Sequence, residues 1–172
     1  MEIVKIMLEW AKDEIFSSKF YVLFGIVFLG AAFVFFRVGK TLTARAFINP
    51  LVVCGILLLI IGAGLVYTNY GRFHEFSKAT PDTIGSLTVS EKERAEKTLL
   101  EYERIVFKVI PLLICCCAGI IVFMEKPIWQ ASAIVTLAMF VVILLIDTNA
   151  YSRMKNYKSQ LEILEKQSTS NI

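Results

Sequence analysis

Apolar side chains along this chain gather into four blocks free of charge, residues 20–36, 46–71, 109–124 and 127–146. A helix needs about 20 mostly apolar residues to cross about 30 Å of hydrocarbon. The second and fourth blocks meet that length unaided. The first and third are shorter, and Lys19, Arg37 and Lys108 at their ends can extend them by snorkelling. Trp129, Tyr67, Tyr70 and Tyr151 lie near block ends, where aromatic belts form. The pattern predicts an all-α integral membrane protein, a single membrane domain over 1–172 with four transmembrane helices, the first at 20–37 and the second at 46–70.

Outside the blocks the rhythm is also helical. In residues 2–17, Ile3, Val4, Met7, Leu8 and Ala11 share one face and Glu2, Lys5, Glu9, Lys12 and Asp13 the other. That predicts an N-terminal amphipathic helix lying on the membrane interface. Residues 72–89 hold Thr80-Pro81-Asp82 and Gly85, which are turn signals, and predict a loop. Ser90-Glu91-Lys92-Glu93 has the form of a capping box and opens the next helix. Apolar positions then recur at Ala95, Leu99, Tyr102 and Val106, in alternating steps of four and three. After the fourth block the same rhythm returns at Ala150, Met154, Tyr157, Leu161 and Leu164. Such steps make a seam for a neighbouring helix.

Only Glu125 and Lys126 stand between the third and fourth blocks, so these two helices are antiparallel neighbours. Carried past the membrane surface, they predict a cytoplasmic helical hairpin stalk, with one helix over 90–124 and the other over 127–166. Pro111 removes one backbone donor near the surface and bends the third helix. Residues 167–172 are expected to be a disordered tail. The longest polar stretch between blocks, 72–108, is shorter than the roughly 40 residues an unaided soluble core requires.

Composition agrees. Of 172 residues, 56% are hydrophobic and 19% charged, with a mean hydropathy of +0.65. Soluble domains hold about 45–50% and about 25%. The formal charge of +3 is interleaved rather than gathered into a patch, which excludes a nucleic-acid partner. Lysines and arginines number three before the first block, seven in 72–108 and four after the fourth, against four in the two opposite loops. Fourteen against four places both termini in the cytoplasm of a bacterial inner membrane. The early acidic residues Glu2, Glu9, Asp13 and Glu14 argue against a cleaved signal peptide. All four cysteines lie inside apolar blocks and do not form a secreted disulfide framework.

Candidate chemistry is sparse. His74 is the one histidine, which excludes two-histidine zinc motifs, and it sits beside Glu75 in the expected loop. Cys115, Cys116 and Cys117 point about 100° apart on a helix and cannot close on one metal. They read as small residues at helix contacts. No charge lies within any block, where transport and proton relay would place one. Lys108 and Asp147, both at the start of the expected stalk, are the candidate polar pair at the membrane edge. Gly62-Ala63-Gly64 reads as close helix packing, and Asn49-Pro50 as the cap and first residue of the second helix. Phosphate-binding glycine motifs do not occur. No catalytic, cofactor or metal site is expected.

Three stretches, Ile105-Val106-Phe107-Lys108-Val109-Ile110-Pro111, Lys126-Pro127-Ile128-Trp129 and Val142-Ile143-Leu144-Leu145-Ile146-Asp147, resemble small four-span inner-membrane proteins of Bacteroidota-type bacteria. The likeness covers nearly the whole chain and implies no activity. The expectation is therefore a non-catalytic protein that binds the lipid bilayer and a protein partner. That partner is a membrane-acting toxin, against which the chain gives immunity, or a subunit of a larger membrane complex. A small homo-oligomeric channel is the expectation from a different class.

Overall fold

A computed structural model describes the backbone of residues 2–170 and the side chains of residues 2–166. The helices, in order, are α1 (Glu2–Val38), α2 (Leu42–Ala46), α3 (Ile48–Ser77), α4 (Pro81–Glu101), a π-helical segment (Tyr102–Val109), α5 (Ile110–Phe123) and α6 (Pro127–Ser170). Four helical stretches, Glu2–Val38, Leu42–Ser77, Pro81–Phe123 and Pro127–Lys166, are long and apolar enough to cross a membrane. Phe33, Ile60, Leu112 and Leu145, one from each stretch, are all more than 60% exposed. An apolar surface on every side is the reverse of a water-soluble bundle.

Two cores follow one another along the bundle. The first joins α1, α3 and α6 through Tyr21, Phe28, Leu51, Leu58, Met139 and Val142. Here glycine brings the backbones of α1 and α3 into contact. A Cβ on Gly25 would lie 2.9 Å from the Gly55 carbonyl, and one on Gly62 2.9 Å from the Val22 amide nitrogen. Small residues at such contacts allow dense packing where lipid supplies no hydrophobic drive between helices. Gly64 faces open space, so of the two glycines in the Gly62-Ala63-Gly64 run only Gly62 packs. The second core joins α1, α3, α4 and α6 through Met7, Trp10, Ala11, Phe76, Ala95, Met154, Tyr157 and Leu161. Each fully buried side chain of the size of Leu161 contributes about 1.5–3 kcal/mol.

Several expected boundaries are corrected. Residues 2–17 are not a separate interfacial helix, because α1 runs through them without a break into the first apolar block. Nothing between residues 2 and 24 is glycine or proline, so the helix has no point at which to turn. Met7 and Ala11 do lie on a buried face, but that face covers other helices rather than a membrane surface. The expected loop at 72–89 is mostly helix. α3 continues to Ser77, and α4 opens at Thr80, whose capping box is closed by Thr83 and followed by Pro81 at the first helical position. Ser90 lies inside α4 and bonds its hydroxyl back to the Leu87 carbonyl at 3.0 Å. α3 starts at Ile48, so Asn49 and Pro50 stand within its first turn instead of capping it. α6 runs on to Ser170 through most of the expected tail, because extending an existing helix costs little. Residues 171 and 172 lie outside the described residues.

Pro111 disturbs its helix as anticipated in place but not in kind. It offers no N–H to the Phe107 carbonyl. The backbone upstream has widened, and the Ile110 N–H bonds the Ile105 carbonyl five residues back. The third helical stretch thereby becomes α4, the π-helical segment and α5. α5 packs on α6, while neither it nor α4 packs extensively on α3. That missing contact leaves an opening in the bundle.

Candidate functional site

A cleft of about 570 Å³ occupies the opening, across the junction of the two cores. Residues spaced three and four apart present one wall from each helix. α3 gives Ile61, Leu65, Asn69 and Arg72; α1 gives Trp10, Glu14 and Tyr21. α4 gives Arg94, Thr98 and Glu101, while the π-helical segment and α5 give Ile105, Val109, Ile110 and Leu113. α6 closes the back with Phe140, Ile143 and Asp147. Every wall changes character in the same direction. Around Ile61, Leu113 and Phe140 the lining is apolar, and toward the other end it carries the charged and polar side chains Glu14, Asn69, Arg72, Arg94, Thr98 and Glu101, with Trp10 and Met154 among them.

Most of the charge at the polar end is tied down within the protein. Arg94 donates from Nε to Glu91 Oε1 at 2.8 Å and from Nη2 to Oε2 at 2.5 Å. The Tyr157 hydroxyl donates to the same carboxylate at 3.0 Å. Burial lowers the Arg94 pKa, but the bonded Glu91 carboxylate outweighs it and the net shift is upward. Burial, then the Glu91 charge, raises the Tyr157 phenol. Arg153 donates from Nε and Nη2 to Glu14 Oε1 at 3.1 and 3.0 Å. Burial still raises the Glu14 carboxyl, and Arg153 offsets only part of that rise. Tyr21 donates to Asp147 Oδ1 at 2.5 Å.

Trp10 is the hub of this end. Its ring stacks on Tyr157 at 4.9 Å and 19°, and the Arg94 guanidinium lies 4.5 Å from its centre. Arg72 lies 6.0 Å from the same ring. The indole Nε1–H is buried without an acceptor among the described residues. Arg72 differs from the other arginines of the site. It donates from Nη1 to Asn69 Oδ1 at 3.0 Å, and no carboxylate among the described residues lies within ion-pair distance of it. Burial lowers its pKa, and the like charge of Arg94 lowers it further.

Most of the residues expected at the stalk seam are buried or half-buried. Ala95, Val106, Ala150, Met154, Tyr157 and Leu161 are buried, Leu99 packs against the second core, and Tyr102 and Leu164 are half-buried. The partner of that seam differs from the expected two-helix hairpin, because α1 and the end of α3 complete a four-helix core around it. Lys108 and Asp147 do not pair. Val106 and Ile110 carry the buried stripe, so Lys108, two residues from each, points to the opposite side and is exposed. Asp147 faces Tyr21 instead. Cys115 and Cys116 are exposed and Cys117 is buried, while His74 is exposed in the last turn of α3.

Trp10, Glu14, Tyr21, Arg72, Arg94 and Glu101 escaped the sequence reading. Their one signal was turn-by-turn spacing, Trp10 to Glu14 on α1 and Arg94 to Thr98 to Glu101 on α4, which many solvated faces share. No protein-family model matches the chain, no curated protein matches it, and no solved structure matches it.

Proposed function

We propose that this chain is a four-span protein of the bacterial inner membrane, with both termini cytoplasmic, that acts by binding a bilayer amphiphile. The observation that carries the reading is the cleft between α3 and the α4–α5 side, apolar at one end and charged at the other. Its volume lies within the range of about 300–1,000 Å³ typical of small-molecule sites. The first core lies in the apolar blocks and belongs in the hydrocarbon, and the second core, flanked by charge, belongs in the cytoplasm as a stalk. The cleft then sits at the interface, where an amphiphile presents its head to the charged end and its chain to the apolar end. Glu14 and Arg94 are each engaged with a partner, which favours binding over chemistry. A toxin partner, a larger complex and a pore have no comparable arrangement of residues behind them, and the amphiphile reading takes their place.

Native mass spectrometry of the protein purified in mild detergent tests this. The wild type is expected to retain phospholipid, and Leu65→Trp with Leu113→Trp, which fills the apolar end, is expected to release it while keeping its helical circular dichroism. Equal lipid on both proteins would overturn the reading.

A further inference from the structure

Resting on that reading, we infer that the head group held in the cleft is zwitterionic, a phosphodiester bound at Arg72 and an ammonium bound at Glu101. Among the described residues these two side chains carry opposite charges with no ion-pair partner, and they stand on opposite walls; Asp147, also without one, is engaged by the Tyr21 hydroxyl at the back. Arg72 comes from α3 and Glu101 from α4, and neither takes part in an ion pair among the described residues. Arg94 is held by both oxygens of Glu91, and Arg153 by Glu14, so neither has its charge free for a ligand. Arg72 has one bond to the Asn69 amide and the rest of its donor fork free. A planar guanidinium fork matches two phosphate oxygens, a fit that lysine lacks.

Trp10 strengthens the case at the phosphate end. Its ring lines the cleft and lies beside both Arg72 and Arg94, which fixes where the Arg72 guanidinium stands. At the other wall, Glu101 is an exposed carboxylate at the mouth, next to Thr98, where an ammonium keeps part of its hydration. A purely anionic head group would satisfy Arg72 and bring like charge to Glu101. A neutral one would satisfy neither.

Phosphatidylethanolamine, phosphatidylglycerol and diacylglycerol of the same chains, offered in nanodiscs and read by native mass spectrometry, separate these terms. The wild type is expected to prefer phosphatidylethanolamine over phosphatidylglycerol, and both over diacylglycerol. Arg72→Gln is expected to lower both phospholipids by about tenfold, towards diacylglycerol. Glu101→Gln, on an exposed side chain that folding does not need, is expected to abolish only the preference between the two phospholipids. Soluble glycerophosphoethanolamine at equal concentration is expected to leave the lipid bound, and displacement by it would overturn the assignment to a lipid. Equal retention of the two phospholipids by the wild type, or an unchanged Arg72→Gln, would overturn the head-group inference. If all three lipids bind equally and the filled cleft still loses them, the amphiphile reading stands without it. If none is retained, that reading falls as well.

Discussion

The Tyr21 hydroxyl donates a 2.5 Å hydrogen bond to Asp147 Oδ1, tying α1 to α6 across 126 residues of sequence at the back of the cleft. Sequence spacing offered Lys108 to Asp147, and the fold gave it a phenol. Removing the donor leaves a part-buried carboxylate without its partner. Tyr21→Phe is expected to cost about 1–3 kcal/mol in reversible unfolding in detergent. Adding Asp147→Leu should recover much of that loss in a double-mutant cycle. Strict additivity of the two changes would argue that the bond carries no coupling.

Gly62 lets α3 meet α1 backbone to backbone. A Cβ there would meet Val22 Cγ2 at 2.8 Å and both Tyr21 Cβ and the Val22 nitrogen at 2.9 Å, and because the last two are fixed to the α1 backbone the helices themselves must move to admit it. Gly62→Ala should therefore destabilise by about 1–3 kcal/mol. Gly64 faces open space, and Gly64→Ala should be neutral or stabilise by up to about 1 kcal/mol through helix propensity. Equal melting temperatures for the two variants would refute the close approach.

Leu161 is fully buried in the second core, while Ile163, two residues on, is 53% exposed. Leu161→Ala should cost about 2–5 kcal/mol, and Ile163→Ala no more than about 0.5 kcal/mol. Thermal denaturation in detergent reads both. A reversed order would place the seam on the wrong face of α6.

Glu14 makes stability depend on pH in a direction unusual for a carboxylate. Burial raises its pKa above the ordinary 4.5, so the folded protein binds the proton more tightly than the unfolded chain. Its favourable contribution is complete below the unfolded value and is lost as pH rises through the folded one. The wild type should therefore lose stability relative to Glu14→Gln as pH climbs from 4.5. Melting curves that stay parallel across that range would show that Arg153 compensates burial fully.

Membrane orientation has its own test. In a background without Cys54, Cys115, Cys116 and Cys117, single cysteines at Lys40 and Lys78, both exposed, should react with an impermeant maleimide from opposite sides. In intact cells Lys40→Cys is expected to label and Lys78→Cys to stay protected. The opposite pattern would invert the protein.

The residues of the seam show how far the primary structure reaches. Ala95, Met154, Tyr157 and Leu161 were legible because a buried helical face repeats every three to four residues whatever covers it. The four helices long and apolar enough to cross a membrane were legible for a similar reason, since an unbroken apolar run can be read directly along the chain. Periodicity reports that a face is covered, and not by which neighbour. It therefore gave Met7 and Ala11 to a membrane surface, although α3 and α6 cover them.

By itself, then, the amino-acid order determined the four long apolar helical stretches, their buried faces and the antiparallel turn at Glu125 and Lys126. Tertiary structure alone decided that α1 runs straight into the second core and that α5 rests on α6 away from α3. It also decided that Arg72 and Glu101 face one cleft unpaired. The physical reason is range. Helix formation and burial depend on residues a turn or two apart, whereas a cleft depends on which helices fail to touch.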